Sequence, residues 1–144
     1  MNIDTKDNVH PAYIETIKQL SPEEAAYFKH IYLLESRPIV DVRLRTSNGY
    51  SLNLATNNNL FSNGYVKNFV LSLDNLCRLG LLKIPIDVRY ADDSIYDQIL
   101  EALKSEYTLE KYKYISSDAT EITFHKKRID ITDYGVSFYT ICAI

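Results

Sequence analysis

The sequence predicts an α+β fold with helices first, two β-hairpins and a winged-helix-like arrangement. Three observations predict it. Gln19-Leu20-Ser21-Pro22-Glu23-Glu24 spells a helix start, and Leu76-Cys77-Arg78-Leu79-Gly80 spells a helix end. Between and after these runs, apolar residues alternate with polar ones as strands require. The 144 residues suit one core, so residues 10–144 read as a single domain behind a polar, frayed segment at 1–9.

Each element follows in order. Pro11 fits the first turn of a helix, where its missing N–H is not needed. Ala12, Ile14, Ile17 and Leu20 give that helix an apolar stripe, with Tyr13 beside it. Ser21 and Glu24 form a capping box around Pro22. Ala25, Phe28, Ile31 and Tyr32 mark the buried face of this second helix, and Pro38 its end. Val40, Val42 and Leu44 then alternate with Asp41, Arg43 and Arg45. Tyr50, Leu52 and Leu54 alternate with Ser51 and Asn53. The intervening Asn48-Gly49 predicts a hairpin, and 56–59 a polar loop.

From Gly64 the period becomes helical through Val66, Phe69, Val70, Leu73, Leu76 and Cys77. Gly80 suits the left-handed residue past its end. Leu82 to Tyr90 alternates again, and Pro85 predicts an edge strand. Asp92-Asp93-Ser94 starts another helix, carrying Ile95, Ile99, Leu100 and Leu103. Lys111–Ile115 and Glu121–Ile131 read as a second hairpin over Ser116-Ser117-Asp118. The apolar parity slips in its second strand, so a bulge is expected near Lys126–Arg128. Thr132 caps a last helix with Tyr134, Phe138, Ile141 and Cys142.

Composition excludes several classes. No apolar run approaches the ~20 residues that cross a bilayer. The polar start carries no signal-like segment, which makes the cytoplasm the expected location. Net charge is −3. Three basic residues face six acidic ones in 1–35, eight face nine in 36–110, and five face four in 111–144. No region has the clear basic excess of a strong nucleic-acid binder.

Motifs for chemistry are sparse. His10, His30 and His125 are scattered, neither Cys lies near a His, and CxxC and HExxH are absent, so no metal is expected. The four Gly lie apart and form no phosphate-binding loop, and no cofactor is expected. His10 before Pro11 reads as a local helix-start contact. Cys77 and Cys142 read as buried and reduced. The acidic pairs Glu23/Glu24 and Asp92/Asp93 sit at helix starts, where capping and the helix dipole account for them. No catalytic residues are assigned, and the protein is not expected to be an enzyme.

Binding remains. A winged-helix reading would use Lys67, Asn75 and Arg78 on one helix with Lys126, Lys127 and Arg128 on the late hairpin. Ordinary solvated faces are the favoured account of these six, so nucleic acid is an open but not favoured partner. Arg43 and Arg45 are expected to pair with Asp41 or with acidic groups elsewhere. Twelve Tyr, with no Trp, suit a protein partner or self-association, for instance through Tyr112 and Tyr114.

Four runs carry a family likeness: His10-Pro11-Ala12-Tyr13-Ile14, Gln19-Leu20-Ser21-Pro22-Glu23-Glu24-Ala25, Leu73-Asp74-Asn75-Leu76-Cys77-Arg78-Leu79-Gly80-Leu81-Leu82, and Ile131-Thr132-Asp133-Tyr134-Gly135-Val136-Ser137-Phe138. Together they resemble the Abi-alpha family, a bacterial family linked by name to abortive infection, a defence against phage. The likeness runs from about residue 9 to the C-terminus. It implies a cytoplasmic bacterial protein with a defence role and brings no catalytic residues with it. Its Leu-x-x-Leu-x-x-Leu-Gly-Leu run also occurs in winged-helix regulators. Family members are often longer at the N-terminus, which leaves open whether this chain is their C-terminal part.

Overall fold

The computed structural model describes residues 10–60 and 69–142. The expected frayed segment at 1–9, the start of the Gly64 helix and Lys67 lie outside them. The fold is α+β. The chain divides into two compact units, the described parts of Met1–Arg37, Tyr65–Ile84 and Ile129–Ile144, and of Pro38–Gly64 and Pro85–Arg128.

The first unit holds helices α1 (Pro11–Gln19), α2 (Pro22–Leu33), α3 (Phe69–Arg78) and α6 (Asp133–Cys142), with short strands β3 (Leu82–Lys83) and β5 (Asp130–Ile131) paired antiparallel. His10 Nδ1 accepts the Ala12 N–H at 3.0 Å, so His10 serves the helix start. The capping box forms as its spacing requires. Ser21 Oγ accepts from Glu24 N–H at 3.1 Å, and Glu24 Oε1 accepts from Ser21 N–H at 3.0 Å. Phe28 and Ile31 are fully buried on α2. Tyr32 stacks on Tyr139 with ring centroids 3.8 Å apart.

The stripe expected on α1 needs correction. Ile14 and Ile17 are exposed, and Thr16 is the buried residue. Thr16 can turn inward because its hydroxyl is satisfied there, by Ala12 C=O at 3.0 Å and the Tyr134 hydroxyl at 2.7 Å. Gly80 ends α3 at φ +80°. Its N–H donates to Cys77 C=O at 3.0 Å, while Leu81 N–H donates to Leu76 C=O at 3.1 Å, the paired bonds of a Schellman motif. Cys142 is buried as expected, but Cys77 is only half-buried.

Glu24 also ties helices together. Its Oε2 accepts from the Asn75 amide at 2.6 Å, and Arg78 donates to both Asn75 Oδ1 and Gln19 Oε1. Partial burial pushes the Glu24 carboxyl up. The hydrogen bonds from Ser21 and Asn75, with Arg78 nearby, outweigh that and leave it below its ordinary 4.5. A carboxyl lowered in the folded state stabilises the fold above the unfolded pKa and loses that contribution as pH falls through the folded value. The thermal midpoint is therefore expected to fall as the pH drops below the ordinary 4.5, and less so in Glu24→Gln. Parallel pH curves for the two proteins would remove this assignment.

The second unit is a three-stranded antiparallel sheet, in the order β2-β1-β4, built from β1 (Pro38–Thr46), β2 (Ser51–Asn58) and β4 (Ala119–Arg128). The first hairpin forms as predicted, with Gly49 at φ +88° closing its turn. Strand β2 continues through the expected 56–59 loop as far as Asn58. Asn57 N–H donates to Asp41 Oδ1 at 2.9 Å, and the Asn58 amide donates to Val40 C=O at 2.9 Å, so these polar residues stay paired while extended. A 3-10 turn (Asp93–Tyr96) leads into α4 (Asp97–Glu106). Asp92 caps that turn, accepting from the Ser94 N–H and hydroxyl.

Three expectations fail in this unit. The alternating run beyond Lys83 is not a strand. Pro85 cannot donate to a ladder, Asp87 takes a left-handed φ of 55°, and Tyr90 N–H bonds instead to the Tyr96 hydroxyl at 3.0 Å. The second hairpin does not form. Leu109–Tyr112 is a short helix, α5, whose cap Thr108 accepts from Lys111 N–H, and Lys113–Ile115 continues as a 3-10 turn. Strand β4 pairs with β1 instead, so the late basic hairpin expected beside the helix does not form. The bulge near Lys126–Arg128 is absent too. Strand β4 stays in register with β1 from Glu121 to Arg128. The parity slips because the chain then changes sheet, with Asp130–Ile131 pairing to Leu82–Lys83.

Candidate functional site

Alternation in a strand sends neighbouring side chains to opposite faces. In the second unit one sheet face is apolar. Val40 and Val42 form a core there with Tyr96, Ile99 and Leu103, joined by Leu54, Ile122 and Phe124. The opposite face receives Asp41, Arg43 and Arg45 of β1. Register places His125, Thr123 and Glu121 of β4 directly across from them, and Asn53 and Ser51 of β2 beside Arg43 and Arg45.

One end of this polar face is a closed ion-pair network. The Asp41 side chain is 6% exposed and that of Lys127 16%. Lys127 Nζ lies 2.9 Å from Asp41 Oδ1 and 2.6 Å from Asn57 Oδ1. Asn57 N–H reaches the same Asp41 oxygen, helped by its left-handed φ of 55° and by the irregular β1–β2 register at Val40 and Val42. Arg43 Nη2 stands 3.4 Å from the other oxygen, a long contact. The other end is open. Arg45 and Glu121 pair at 3.2 Å with side chains 59% and 53% exposed, which makes a weak, breakable bridge. His125 Nε2 is 4.0 Å from Asp87 Oδ1. Between these groups lies a cavity of about 260 Å3, lined by Arg43, Arg45, Ser51, Thr123, Phe124 and His125. Both arginine pairings, Arg43 with Asp41 and Arg45 with an acidic group elsewhere, are those the sequence suggests.

The residues expected to bind are placed differently. Lys126 and Lys127 adjoin in sequence but point to opposite sheet faces. Lys126 Nζ lies 3.0 Å from Asp93 and 5.6 Å from the Tyr96 ring centroid, while the Arg128 guanidinium sits 5.8 Å from the Tyr90 ring. Asn75 and Arg78, in the first unit, are engaged with Glu24 and Gln19. Among the described residues no cluster of three or more His, Cys, Asp or Glu could hold a metal ion. No described helix is long and apolar enough to cross a membrane. Burial pushes the Cys142 thiol up, away from the thiolate a nucleophile needs.

The model of the family described as abortive infection alpha matches residues 1–142. The chain belongs to that family. Among solved structures, it is similar to the uncharacterized protein from the hydrocarbon-degrading marine bacterium Alcanivorax borkumensis SK2, at 10% identity and a TM-score of 0.52, over 100% of this chain and 99% of that one. At that identity the likeness concerns the fold alone. No curated protein matches the sequence. The residues that line the cavity of this abortive infection alpha chain lie outside the four family-like runs at 10–14, 19–25, 73–82 and 131–138.

Proposed function

We propose that this abortive infection alpha protein is a cytoplasmic, non-catalytic binding or sensing module that acts in phage defence, and that it binds through the polar sheet face of the second unit. The observation that carries the reading is the composition of the cavity wall. Beside Phe124, it offers two guanidinium groups, one imidazole and two hydroxyls, with no carboxylate or thiol among the lining residues.

Such donors hold a ligand more readily than they break one. Ser51 and His125 sit on the two outer strands, separated by β1. Adjacent strands are ~4.8 Å apart, so the two lie about 10 Å apart, beyond the reach of a nucleophile–base hydrogen bond. Thr123 and His125 are two residues apart along one strand, a span of roughly 6.5 Å. The carboxylate nearest the imidazole, Asp87, stands 4.0 Å away, too far to orient it by a hydrogen bond.

The test is phage plating on bacteria that express the protein. Wild type is expected to reduce plaque numbers across at least part of a phage panel, and the Arg43→Ala/Arg45→Ala double variant to restore them. Equal expression and an unchanged circular dichroism spectrum show that the variant is folded. A variant that protects as well as wild type would remove the sheet face from the function.

A further inference from the structure

The cavity on the polar sheet face has a charge and a shape that specify a ligand class. We propose that it binds a phosphate monoester group, with Arg43 as its principal contact. This rests on the reading of the face as a binding surface and names what the face would hold.

Charge comes first. Asp41 is the buried anion of this face, and Lys127 already answers it at 2.9 Å, with Asn57 N–H on the same oxygen. Arg43 reaches Asp41 only at 3.4 Å, and its side chain is 36% exposed. Its guanidinium is therefore a surplus cation at the cavity wall, with most of its N–H groups open to a second acceptor. Arg45 is held by Glu121 in an exposed pair, which is weak and easily broken. Its guanidinium can swing to a bound anion at small cost.

Geometry comes next. The donors stand on three strands: Ser51 on β2, the two arginines on β1, and Thr123 with His125 on β4. They approach one space from both sides of the central strand as well as from its middle. A planar carboxylate presents two oxygens in one plane and would leave part of this set unused. A phosphate monoester presents three terminal oxygens in a tetrahedral spread, which matches donors arriving from several directions. Arginine also pairs with phosphate through two parallel N–H bonds. The apolar side of the sheet is filled by its own core, so the anion has one open approach. The volume, about 260 Å3, lies below the ~300–1,000 Å3 usual for whole small-molecule ligands. The cavity thus takes the phosphate end of a ligand and leaves the rest of it outside.

Calorimetric titration of the full chain at constant ionic strength tests this. The probes are inorganic phosphate, ribose 5-phosphate and AMP, with acetate as the planar control. The expected result is one saturable site of Kd about 1 mM or tighter for the phosphates. Binding should weaken about tenfold or more in Arg43→Ala. It should hold in Lys111→Ala, which removes a charge away from the cavity. Arg43→Gln keeps much of the side-chain volume and serves if the alanine variant misfolds. Tighter binding of AMP or ribose 5-phosphate than of inorganic phosphate supports the monoester, and equal or tighter binding of the free ion overturns it. Absence of saturation by about 10 mM, equal binding of acetate, binding of an oligonucleotide but of no monoester, or unchanged affinity in both Arg43 variants would overturn the proposal. The two readings fail separately. No phosphate binding, with phage protection still abolished by the arginine double variant, removes the ligand and keeps the binding face. Phosphate binding with undiminished protection keeps the ligand and removes the defence role of the face.

Discussion

Gly135→Ala is expected to destabilise the protein by about 2–3 kcal/mol. The sign opposes the intrinsic preference, since Ala favours a helix interior over Gly by ~1 kcal/mol. Contact decides it. A Cβ at position 135 would collide with the Leu81 carbonyl oxygen, with Leu81 C and Ile131 Cγ2 each at 3.1 Å. The first two are backbone atoms and cannot swing aside like the tip of a long side chain. The Leu81 peptide is also held from both ends. Its carbonyl accepts from the Thr132 N–H at 3.2 Å and the Thr132 hydroxyl at 3.1 Å, and its N–H closes the Schellman motif of α3. Relief of the clash therefore means moving α6 off the α3–β3 corner or giving up those bonds. Urea unfolding should show a lower midpoint with an unchanged slope. A midpoint equal to or above wild type would show that the close approach is not there.

The second large effect concerns Asp41. Asp41→Ala should cost about 3–4 kcal/mol, because among the described residues it leaves the half-buried Lys127 ammonium with Asn57 Oδ1 as its partner and takes the acceptor from the buried Asn57 N–H. An exposed ion pair would be worth less than about 1 kcal/mol, so the magnitude itself tests burial. The combination Asp41→Leu with Lys127→Met should regain part of the loss, since an apolar pair of similar volume often replaces a buried ion pair without penalty. It should not regain all of it, because the Asn57 amide stays unsatisfied, a cost of about 1–3 kcal/mol. Guanidinium unfolding of the wild type, the single variant and the double variant separates these terms. A single-variant loss under 1 kcal/mol, or full recovery in the double, would contradict the network as described.

The two positions differ in how visible they are from sequence. Gly135 stands in a Thr-x-Tyr-Gly-x-x-Phe run that marks a helix start, yet nothing in the run names Leu81 as the backbone it must admit. Asp41 reads as an outward residue of an alternating strand, which it is. That its face closes over it depends on Lys127, a residue 86 positions later in the chain. The cavity has the same character. Arg43 and Arg45 are legible as one face of β1, but Thr123 and His125 join them only because β4 lies antiparallel beside β1. The alternation predicts that 111–115 and 121–131 pair with each other, an arrangement that gives β1 no such neighbour and makes Lys126–Arg128 a single patch. Strand parity divides that patch between two faces.

The amino-acid sequence by itself determined the class of the fold and its punctuation: the Ser21–Glu24 box, the Gly49 turn, the Gly80 helix end, the Thr132 cap and the parity of β1. These depend on hydrogen bonds and steric limits that act within about six residues, so short runs encode them fully. Tertiary structure alone decided which strand lies beside which, whether Lys-Tyr-Lys-Tyr coils or extends, and which polar side chains share the open face. Alternating runs are compatible with several partners, and the choice belongs to core contacts made between residues far apart in the chain.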